Sequence, residues 1–63
     1  MNEKEYLESC QLQKQLREMQ YDETLTEHQR KMANIFYKEL TTVYPQFPSI
    51  HPSVVRDMIA RVK

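Results

Sequence analysis

Sixty-three residues allow one small domain and exclude a doubly wound sheet or a barrel with a substrate pocket. One cysteine excludes an internal disulfide, and nine Lys plus Arg against nine Asp plus Glu give no net charge. A nonspecific electrostatic grip of the whole chain on nucleic acid or anionic lipid is therefore not expected. No apolar run is long enough to span a bilayer, and the acidic start MNEKEYLES lacks the basic-then-apolar order of a signal peptide. With a lone thiol, this predicts a cytoplasmic protein without a membrane role.

Size also makes folding a close balance. Surface scaling gives about 11,000 Å² exposed when unfolded and about 4,300 Å² when folded, so apolar burial contributes about 100 kcal/mol. Ordering the chain costs about 95 kcal/mol. Small domains widen that margin with disulfides, a structural metal or self-association. Cys10, His28 and His51 are far apart and lack the paired spacing of a zinc site, so association is the expected route.

The absence of glycine, the many Gln, Glu, Lys, Arg, Leu and Met residues, and apolar positions at helical spacing predict an all-α chain of three helices. The first spans about residues 2–20, with Asn2 as N-cap and Glu3 and Glu5 in the first turn, where carboxylates complement the helix dipole. Leu12, Leu16 and Met19 share one stripe, while Tyr6, Leu7 and Cys10 project from nearly the opposite side. Either the first turns fray or drift onto another part of the same core, or the helix has contacts on two sides, only one of which can face its own chain. Gln11, Gln13, Gln15 and Gln20 read as a solvated face, and Lys14 with Glu18 as an i, i+4 pair.

The second helix is expected over 26–43. Thr26 followed by Gln29 forms a capping-box pattern, with Thr24 and Glu27 as a competing cap. Met32, Ala33, Phe36, Leu40 and Val43 form a stripe running to Tyr44, flanked by Ile35 and Tyr37. This helix is expected to be the spine of the core, with Phe36 its most buried aromatic.

All three prolines fall within VYPQFPSIHP, residues 43–52. Pro45 lacks an amide hydrogen and biases Tyr44 away from helical angles, which ends the second helix. Pro52 suits the first position of a third helix over 52–62, with His51 as its N-cap and Ile50 and Val55 placed as a hydrophobic staple. Val55, Met58, Ile59 and Val62 follow as one stripe. Between the helices lies a stiff elbow, with Phe47 and Ile50 expected to anchor it.

Chemistry is sparse. No nucleophile has a base beside it in sequence, and no glycine is present to form an oxyanion turn or a phosphate cradle, so neither catalytic residues nor a cofactor are expected. PQFP has PxxP spacing but no flanking basic residue, and turn-making explains its prolines. The expected architecture is a helical hairpin of helices one and two, with helix three folding back across its end, completed by dimerisation. The expected function is that of a small non-catalytic regulator, inhibitor or adaptor that docks a protein partner through its helices. Tyr6, Leu7, Cys10, Tyr37, Tyr44 and Phe47 are the contact candidates. The alternative is a helix-turn-helix-like DNA-binding protein, with Ser53, Arg56, Arg61 and Lys63 on the basic C-terminal helix meeting the major groove. Against it stands a connection from Tyr44 to His51 longer than the usual turn.

Overall fold

A computed structural model describes all residues 1–63. The chain folds into three helices, α1 (Glu3–Met19), α2 (Glu27–Thr42) and α3 (Pro52–Val62), as the sequence predicts to within a residue or so at each end. Each start is built as its sequence suggests. The Asn2 side chain accepts from the Glu5 amide at 2.8 Å, and Thr26 Oγ1 accepts from the Gln29 amide at 3.1 Å while Gln29 returns the bond to the Thr26 amide at 2.9 Å. The Thr26 cap wins over its Thr24 rival because Thr24 is already used, its amide and hydroxyl both donating to Asp22. His51 caps α3 by accepting from the Ser53 amide at 3.2 Å, with Pro52 in the first turn.

The accessible surface is 4470 Å² and the radius of gyration 11.3 Å. A compact single chain of this length is expected near 4,300 Å² and about 10.6 Å, so the core closes within one copy. That core holds Leu16 and Met19 from α1, Ala33 and Leu40 from α2, Ile50 from the elbow, and Val55, Met58, Ile59 and Val62 from α3.

One expectation is thereby corrected. The helix with the largest buried share is α3, with Pro52, Val55, Met58, Ile59 and Val62 inside. The longer α2 is fully buried only at Ala33 and Leu40, its Met32 and Phe36 are half-buried, and Val43 is 65% exposed. No aromatic ring is fully buried. A core between three short helices is narrow, so branched aliphatic and methionine side chains fill it while rings lie along its rim. Leu7 is also outside, at 54% exposure, so Leu7→Ser is expected to change stability by less than about 0.5 kcal/mol in a urea titration.

The connection between α1 and α2 has a polar frame of its own. Asp22 accepts from the Thr24 amide at 2.9 Å and its hydroxyl at 2.6 Å, while Arg30 donates to the carbonyls of Asp22 and Leu25 at 3.3 and 2.7 Å. The two bonds from Thr24 hold the Asp22 carboxyl below its ordinary value of 3.8. A depressed carboxyl stabilises the fold fully above its unfolded value and loses that contribution as pH falls through the folded one. The Thr24 amide resonance is therefore expected to move at pH values below 3.8, together with the Asp22 carboxyl carbon, and to lose that response in Asp22→Ala.

Candidate functional site

The elbow, residues 43–51, is where the chain departs most from a simple bundle. Pro45 to Ser49 are all exposed, and short turn bonds fold the segment on itself: the Phe47 amide to the Tyr44 carbonyl at 3.2 Å, Ser49 to Gln46 at 2.7 Å, and Ile50 to Pro48 at 2.9 Å. The Phe47–Pro48 peptide is cis. Ile50 anchors the elbow at 3% exposure, but Phe47, at 36%, does not.

Polar groups on α1 provide the second anchor. Ser9, fully buried, donates its hydroxyl to the Ile50 carbonyl. Gln13, 7% exposed, donates through Nε2 to Ser9 Oγ at 3.0 Å and to the Pro48 carbonyl at 2.9 Å. The reading of Gln13 as solvated is thus overturned: an amide is inside because the elbow brings backbone carbonyls that need donors. Around this pair, Glu5 Oε2 lies 3.0 Å from His51 Nε2, and Glu8 pairs with Arg56. Positions 5, 9, 13 and 16 lie along one side of α1, so its inner face is polar toward the elbow and apolar toward Met19. The spacing of Ser9 and Gln13 from Leu16 was the signal that could have found them.

Beside this Ser9–Gln13 anchor is a hollow of about 320 Å³, with Met1, Tyr44, Ile50 and Val54 as its apolar walls and Gln46, Ser49 and His51 at its polar side. Two other surface depressions are more polar. One is lined by Gln20, Tyr21, Arg30, Lys31, Asn34 and Ile35, the other by Glu3, Lys4, Leu7, Glu8 and Gln11.

The six contact candidates are distributed over several of these places. Tyr44 lines the first hollow. Tyr37 is half-buried against the core rim, and Leu7 stands on the outer side of α1 near Lys4 and Gln11. Tyr6 and Cys10 lie one turn apart and both are half-buried, and the neighbouring cysteine side chain, with some desolvation, pushes the phenol above its ordinary range. Met1 and Val54 were not among the candidates, because nothing in the sequence says that the start of α1 and the first turn of α3 adjoin the end of α2.

The residues of the DNA-binding alternative are exposed, but three have partners in the chain. Ser53 Oγ is 2.8 Å from His51 Nδ1, Arg56 pairs with Glu8, and Arg61 Nε is 3.0 Å from Asp57 Oδ2. Lys63 forms the end of α3, its amide donating to the Ile59 carbonyl at 3.3 Å. No three His, Cys, Asp or Glu side chains are close enough together to hold a metal ion, and no helix is long and apolar enough to cross a membrane.

Fold and surface together define a class, a three-helix all-α domain whose elbow is fastened by buried polar bonds and flanked by one apolar hollow. Within that class the chain stands without a match among protein-family models, curated proteins or solved structures.

Proposed function

We propose that this chain is a small non-catalytic binding module, a regulator, inhibitor or adaptor that docks a protein partner at the elbow. The observation that carries the reading is the apolar hollow walled by Met1, Tyr44, Ile50 and Val54. It is framed by the ends of all three helices and sits on an elbow fastened to α1 by Ser9 and Gln13. A preformed recess needs little ordering when an apolar anchor enters it, which favours affinity. Tyr44 and Val54 are its contact residues, with Phe47 on the adjoining exposed turn and Leu7, Tyr6, Cys10 and Tyr37 as secondary contacts outside the recess.

Reversible pairing of two copies belongs to the same reading. Because one copy closes its own core, a two-fold dimer would separate without unfolding, and sedimentation from low to high micromolar concentration should show mass rising while helicity stays constant. A single-chain mass throughout removes the dimer.

The experiment for partner docking is capture from native lysate with the wild-type chain, Val54→Gln and Tyr44→Gln, each with and without nuclease, after circular dichroism has shown equal helicity. Retention of one protein in stoichiometric amount that resists nuclease and is lost with either variant supports docking at the hollow. Equal retention by all three chains sinks it. The DNA-binding reading draws less support, since Arg56 and Arg61 are already paired with carboxylates; nuclease-sensitive capture would revive it.

A further inference from the structure

His51 stands at the junction of two helix starts, and each of its ring nitrogens has a separate task. Nδ1 lies 3.2 Å from the Ser53 amide and 2.8 Å from Ser53 Oγ. An amide can only donate, so Nδ1 must carry the lone pair, and the neutral ring holds its proton on Nε2. That nitrogen is 3.0 Å from Glu5 Oε2 and donates to it. Glu5 is itself part of the α1 cap, its other oxygen 3.5 Å from the Asn2 amide. One imidazole thus joins the first turn of α3 to the first turn of α1.

We propose that His51 is a pH-responsive clasp, which when neutral both caps α3 and holds α1, and when protonated gives up the cap but keeps its hold on α1. Histidine is the side chain whose charge ordinarily changes near neutral pH. A second proton can enter only at Nδ1. There it removes the acceptor that the Ser53 amide uses, and the Ser53 hydroxyl turns from donor to acceptor. The positive ring then opposes the dipole at the start of α3 and is attracted by Glu5. From α1, Glu5 is the charged group facing the ring. Met1 and Tyr44, which line the hollow beside His51, bring the chain's amino group and a phenol to that side. On α3 the nearest cation, Arg56, is taken up by Glu8. Loss of the cap and gain of the ion pair act in opposite senses. The change is therefore local: the ring and the exposed Ser53 at the start of α3 shift while the helices and core persist. Both Ile50 and Pro52, on either side of His51, are buried, which confines the movement to the ring and the exposed Ser53.

Nitrogen-15 and carbon-13 spectra of the imidazole, with amide exchange at Ser53, test this in the wild-type chain and in His51→Asn, which keeps a capping side chain but cannot titrate. At about pH 8 the ring should show the Nε2–H tautomer. Between about pH 8 and about pH 5, Ser53 protection should fall about fivefold, the size of one side-chain cap, while far-ultraviolet dichroism stays constant. In His51→Asn that fall should vanish. Should the asparagine variant fold poorly, the wild-type tautomer decides alone. An Nδ1–H ring at neutral pH, or Ser53 protection that does not change with pH, overturns the proposal.

Discussion

Leu40→Ala and Leu16→Ala are each expected to lower unfolding free energy by roughly 2 to 5 kcal/mol, the usual cost of truncating a buried leucine in a core that cannot collapse around the gap. Both residues are fully buried in the core, Leu16 on α1 and Leu40 on α2. A domain of this length has a total stability of about 3 to 9 kcal/mol, so either change removes a large share. Urea titration followed by circular dichroism should show the midpoint falling steeply, with part of the population unfolded before denaturant is added. Phe36→Leu makes a useful contrast. Because Phe36 is only half-buried, its loss should be smaller, in contrast to what its place in the α2 stripe suggests.

The second large effect is expected at the polar clasp. Ser9→Ala removes the donor to the Ile50 carbonyl and also the acceptor that Gln13 uses. Gln13→Ala takes one of two donors from the Pro48 carbonyl, which keeps the Ile50 amide. Leaving the buried Ile50 carbonyl without a partner costs roughly 1 to 3 kcal/mol, and the loss in Gln13→Ala is expected to be smaller. The two side chains share a bond, so the double variant should lose less than the sum of the single ones, and a double-mutant cycle measures the difference. Additive losses would mean that the serine and the glutamine act separately.

The helices and their caps were legible in the sequence because local chemistry decides them. Thr26 with Gln29, Asn2 with Glu5, and His51 before Pro52 each place an acceptor within reach of free amides a turn away. The apolar stripe of α3 was legible for the same reason, since its spacing alone defines a face. What the sequence hid depends on contacts across long separations. Ser9 meets Ile50 across 41 positions and Gln13 meets Pro48 across 35, and only the folded elbow explains why a polar pair is buried in line with Leu16. Burial of α2 was overestimated because a stripe tells which side faces inward, not how much of it another helix covers. Phe47 failed as an anchor while Ile50 succeeded because the bond from Ser9 draws the backbone inward at residue 50. The candidate surface was legible only in part. Tyr44 was visible as a ring beside its stripe, whereas Met1 and Val54 join it only through the meeting of three helix ends.

The fastening of the elbow to α1 underlies both the rigidity of the hollow and the role given to His51. Proton NMR of the Gln13 side-chain amide tests it most directly. The account predicts amide protons that exchange slowly with water and show nuclear Overhauser contacts to Pro48 and Ser49. Rapid exchange, with contacts confined to neighbours along α1, would contradict it.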